Sequence, residues 1–73
     1  MAVPEFCKKI ATTLKDLRIK NNLSIEELAK KSGVSIYKIR SLENLEHDIR
    51  FTTVFRLCEA LNISMYDFAE MLE

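Results

Sequence analysis

Few side chains in this chain are placed to make or break a covalent bond. His47 is the only histidine, and no nucleophile–base pair, phosphate loop or metal-ligand cluster accompanies it. Cys7 and Cys58 are the only cysteines. They do not amount to a disulfide framework, and neither has a metal-ligand neighbour at short spacing. Cys58 reads as a small core residue and Cys7 as incidental. No catalytic residue, metal or cofactor is therefore expected, and the chain is not read as an enzyme. The chemistry that remains is non-covalent and concentrated between Ser24 and Asn44, in SIEELAKKSGVSIYKIRSLEN. If Ile39 and Leu42 face a core, the exposed side of that stretch carries Ile36, Tyr37, Lys38, Arg40, Ser41 and Asn44. Ser24 and Ser35 stand at helix starts, where hydroxyls and free amides can hold an anion.

The elements that position these groups are two short helices on either side of the only glycine, Gly33. Ser24 caps the first of them, Glu27 can close a capping box, and Leu23 and Leu28 are spaced as a hydrophobic staple. Gly33 stops that helix and turns the chain sharply. Ser35 then caps the next helix, with Val34 and Ile39 as its staple. Helix, tight turn, helix is the arrangement that presents its second helix to a DNA major groove.

Three further helices are expected around this pair. Pro4 suits a first turn, and Phe6, Ile10, Leu14 and Leu17 make one apolar face up to a stop at Asn21 and Asn22. Residues 24–32 form the second helix, with Leu28 and Ala29 inward, and residues 35–45 the third. A polar, acidic loop follows from Leu45 to Arg50. The fourth helix, 51–61, buries Val54, Leu57, Cys58 and Leu61. Ser64 caps the fifth, with Ile63 and Phe68 as a third staple. The expectation is one all-α domain over residues 1–73, with the helix-turn-helix at about 24–45.

The composition allows such a domain: 73 residues, 48% hydrophobic. No apolar run approaches membrane-spanning length and no signal peptide is visible, so a cytoplasmic protein is expected. Net charge is zero, with 11 basic and 11 acidic residues. The charges are unevenly spread. Residues 1–44 carry nine Lys/Arg against five Asp/Glu, a balance of +4, and residues 45–73 carry two against six, a balance of −4. That asymmetry suits a molecule with one DNA-facing side, and chance scatter of solvated charges would also produce it.

Taken together, Leu17-Arg18, Leu23-Ser24, Glu27-Leu28-Ala29, Gly33-Val34-Ser35, Ile39, Leu42-Glu43-Asn44 and Ala60-Leu61-Asn62-Ile63-Ser64 give a chain that resembles the Cro/phage-repressor (xenobiotic-response-element) family over roughly residues 10–72. The resemblance implies a five-helix, lambda-repressor-like fold of prokaryotic or phage origin. It also implies a structural pair between Arg18 and Glu43, a guanidinium matched to a carboxylate. The sequence departs from the family in three places. Ile25 stands where Gln is favoured, Leu45 where a Gly is usual, and Glu46-His47-Asp48 where the loop is usually basic. Acids beside DNA repel phosphate.

The resemblance places Ile36, Tyr37 and Ser41 at base-reading positions, and Arg40 within reach of a guanine or a phosphate. Ser24, Ser35, Lys38 and Asn44 are the expected phosphate contacts, and Lys30 and Lys31 are explained equally by the helix dipole. Phe51, Phe55, Met65, Tyr66, Ala69 and Met71 exceed one helical stripe and are the expected homodimer interface. The leading expectation is a transcriptional regulator, a repressor, binding double-stranded DNA at a near-palindromic operator as a homodimer. The alternative is a protein-interaction module on the same scaffold, antitoxin-like or anti-repressor, for which Ile36 and Tyr37 form a sticky patch.

Overall fold

Serines start three of the helices. The computed structural model describes residues 4–46 and 49–73, and its helices are α1 (Glu5–Lys20), α2 (Ile25–Ser32), α3 (Ile36–Glu43), α4 (Phe51–Ala60) and α5 (Met65–Met71). Ser24 Oγ accepts the Glu27 amide at 3.0 Å and the Glu27 carboxylate accepts the Ser24 amide at 2.9 Å, so the capping box is closed. Ser35 Oγ accepts the Lys38 amide at 3.1 Å, and Ser64 Oγ accepts the Asp67 amide at 3.0 Å. Each cap satisfies an amide that has no partner inside its helix, an effect of about 1 kcal/mol. All three staples join the core. Leu28, Val34, Ile39 and Phe68 are buried, and Leu23 and Ile63 pack against them.

The helices also end by a shared device. After α1, the Leu23 amide donates to Arg18 O and the Asn22 amide to Ile19 O. After α3, Glu46 donates to Ser41 O and Leu45 to Leu42 O; after α4, Ile63 donates to Cys58 O and Asn62 to Glu59 O. This is the Schellman arrangement, which needs a left-handed residue at its turn. Asn22, Leu45 and Asn62 take that conformation, with φ of 57°, 56° and 59°. Asn tolerates it; Leu pays a steric penalty there. Leu45 therefore occupies a glycine-like position, and α3 stops at Glu43 rather than continuing to Leu45.

The core is one cluster fed by every helix: Ala11 and Leu14 from α1, Leu28 from α2, Ile39 and Leu42 from α3, Val54, Leu57 and Cys58 from α4, and Phe68 from α5, with Val34, Leu61 and Leu72 between or beyond them. α2 packs on both α3 and α4, α1 on α3, and α4 on α5. One residue expected inward and one expected at the interface differ. Phe6 is 59% exposed, because the first turn of α1 extends past the cluster, which begins at Ile10. Met65 is half-buried and packs against the core instead of standing free on α5. Among the described residues no helix is long and apolar enough to cross a membrane.

Candidate nucleic-acid interface

The turn between α2 and α3 is built on Gly33, whose φ of 75° lies in the left-handed region. Its amide closes α2 on Ala29 O at 2.9 Å, and Ser32 Oγ accepts the Val34 amide at 3.1 Å. Val34 is thereby turned into the core, and the chain leaves it directly into the Ser35 cap of α3.

The far end of α3 is held by Arg18. Its Nε donates to Glu43 Oε2 at 2.7 Å and its Nη2 to Glu43 Oε1 at 3.1 Å, a bidentate pair. Nη1 donates to Leu23 O at 2.8 Å. The side chains are 12% and 7% exposed, so the pair is largely withdrawn from water. One guanidinium ties α1, the α1–α2 link and the end of α3. The expected Arg18–Glu43 pair is present, and Arg18 is turned inward rather than toward a phosphate.

Between these two anchors α3 presents its outer face. Tyr37 is 67% exposed and Ile36 38% exposed, and Lys38, Arg40 and Asn44 are exposed. Ser41 is not. It is 5% exposed, buried alongside Ile39 and Leu42, and cannot offer its hydroxyl to a base edge from there. The reason lies in the packing. α3 is covered by α1 on one flank and α2 on another, so the buried arc is wider than the Ile39–Leu42 stripe and takes in a small side chain at its edge.

The two serine-capped helix starts differ in charge. α2 carries Glu26 and Glu27 in its first turn, and α3 carries no acid there. Hydrogen bonds from Ser24, its main-chain amide first and its side chain second, hold the Glu27 carboxyl below its ordinary value. A carboxylate is thus already seated at the start of α2, and Ser24 is engaged with it. Ile25 is half-buried against the core, which accounts for an apolar residue at the start of α2. Lys30 and Lys31 are exposed in the last turn of α2.

After α3 the exposed Glu46 begins the acidic loop, and His47 and Asp48 lie outside the described residues. Arg50 follows as the exposed N-cap of α4, whose first turn has no acid. It adds a cation next to the α3–α4 loop that the acidic run of the sequence masks; the only signal for it is a basic residue immediately before a helix start.

Of the candidate interface residues, Phe51 (69% exposed), Phe55 (42%), Tyr66 (73%) and Met71 (50%) stand on the surface, as does Ala69. Phe51 and Phe55 stack at a centroid distance of 6.4 Å with 14° between their planes. Met65 does not belong with them, for the reason given above.

A family model described as helix-turn-helix matches residues 14–68. Among solved structures, the wild-type restriction-modification controller protein C.Esp1396I matches with a TM-score of 0.89 at 23% identity, over 96% of this chain and 91% of that one. The C.Esp1396I tetramer in complex with its natural 35 base-pair operator also gives 0.89 at 23% identity, over 96% and 92%. At that identity the likeness is one of fold. No match is found among curated proteins.

Proposed function

The chain belongs to the helix-turn-helix family of DNA-binding regulators, which is non-enzymatic, and on that premise we propose that it is a transcriptional repressor occupying a near-palindromic operator as a homodimer. The observation that carries this is α3: its outer face is exposed and bears Arg40, Lys38 is exposed beside it, its first turn is free of acid, and its end is fixed by the Arg18–Glu43 pair. A helix braced at both ends with exposed cations is what entry into a major groove requires. Ile36, Tyr37 and Arg40 are its base contacts, and Ser35, Lys38 and Asn44 its phosphate contacts, with Arg50 added. Ser24 contributes less than Ser35, since Glu27 already occupies its site.

The homodimer reading rests on Phe51, Phe55, Tyr66, Ala69 and Met71, exposed apolar side chains of α4 and α5. C.Esp1396I, of similar fold, is a tetramer in complex with its natural operator. Such a regulator works in the cytoplasm of a prokaryote or of a phage-infected cell. The test is binding to mixed genomic duplex fragments at low and moderate salt. A regulator binds, with a negative salt slope and a preferred sequence. No binding at low salt overturns the reading and leaves the protein-interaction module in its place. Sedimentation at micromolar concentration tests the dimer, and a monomer throughout removes it.

A further inference from the structure

The burial of Ser41 changes which side chain leads on α3. At about 100° per residue, Ile39, Ser41 and Leu42 define a buried arc, and the direction opposite its centre falls within roughly 15° of Arg40. By the same estimate Lys38 points roughly 145° away from that direction, off the row that Arg40 leads. In a groove that a helix fills, the outermost row faces the groove floor, where the base edges are, and the flanks face the phosphate walls. Arg40 is exposed, and among the described residues it has no hydrogen-bond or ion-pair partner to divert it. Ile36 stands one turn before it on the same side, 38% exposed and apolar.

We propose that Arg40 reads a guanine and Ile36 contacts a thymine methyl, so that each operator half-site carries these two bases within about two base steps of each other. This rests on the DNA-binding reading above and names what that surface recognises. The chemistry is specific to the side chains. A guanidinium donates two parallel bonds to guanine O6 and N7, and an apolar side chain distinguishes thymine by its methyl group. The spacing follows from the helix. Four residues rise about 6 Å, close to two base-pair steps of about 3.4 Å each.

The test is selection from a randomised duplex library at low salt with the wild type, Arg40→Ala, Arg40→Lys and Ile36→Ala. The wild type enriches a motif containing the guanine and thymine pair. Arg40→Ala loses discrimination at the guanine alone, by roughly 5- to 150-fold, and Arg40→Lys restores little of it because a point charge lacks the fork. Ile36→Ala relaxes the thymine alone. A motif that Arg40→Ala leaves unchanged, with all sequences weakened alike and the salt slope reduced by about 1, makes Arg40 a phosphate contact and overturns the proposal while the regulator reading stands. A wild type that enriches no motif overturns both. Both residues are exposed, and a thermal melt confirms that the variants fold.

Discussion

Replacing Arg18 by Met tests the whole reading of how α3 is held. The substitution keeps most of the side-chain volume and removes three donated bonds, two to Glu43 and one to Leu23 O. Glu43, 7% exposed in its side chain, is left as a carboxylate with no counter-ion and little water. Removing one partner of a buried pair costs about 3–5 kcal/mol, because the remaining charge is stranded. A domain of this length has about 4–11 kcal/mol to lose, at 0.05–0.15 kcal/mol per residue. Arg18→Met is therefore expected to remove between about a quarter and all of the domain's stability. Glu43→Leu in the same chain removes the stranded charge and recovers most of that loss, so the two changes are strongly non-additive. Urea unfolding followed by circular dichroism measures all three variants against the wild type. A single-variant loss below about 1 kcal/mol, the size of an exposed ion pair, with no coupling in the double variant, would refute the argument that this pair is the structural brace.

Three other predictions concern local features. Gly33→Ala meets no atom within 4 Å, so its cost is the left-handed backbone alone, about 1–2 kcal/mol in urea unfolding. Hydrogen bonds from Ser24 hold the Glu27 carboxyl below its ordinary value, so the folded state favours its charged form. That stabilisation is present above pH 4.5 and is lost as pH falls through the lowered value; Glu27→Gln flattens this part of the acid profile, measured by thermal melts across the range. Burial pushes the Cys58 thiol up from 9.0 to about 11, so the folded state favours the neutral thiol. Stability is expected to fall as pH rises from about 9 toward 11, and Cys58→Ala, less stable at neutral pH, loses this alkaline slope.

The starts of α2, α3 and α5 were legible because they are written in short-range chemistry. Ser24, Ser35 and Ser64 cap, and each staple spans five residues, so neighbours in sequence are neighbours in space. The Arg18–Glu43 pair spans 25 residues, and no local pattern marks it; it came from the family resemblance. Ser41 was misplaced because a period of 3.6 predicts one buried stripe, whereas α3 is flanked by both α1 and α2. Met65 and Phe6 follow the same logic in opposite directions. How far the core extends along α1 and α5 is decided by packing between helices, which the sequence pattern does not contain. Leu45 reads as a helix former, yet the Schellman turn overrides that preference and places it at a positive φ.

The turns after α1, α3 and α4 are defined by paired bonds that run between main-chain groups, from amide to carbonyl. Their side chains differ, two Asn and one Leu, while the bond pattern is the same. In evolutionary terms, the inherited quantity at these links is their length. Letters can drift at such a link for little more than the difference in left-handed propensity, whereas one inserted residue breaks both paired bonds and rotates the following helix out of register. A domain built this way can exchange most of its surface, the outer face of α3 included, while its trace stays fixed.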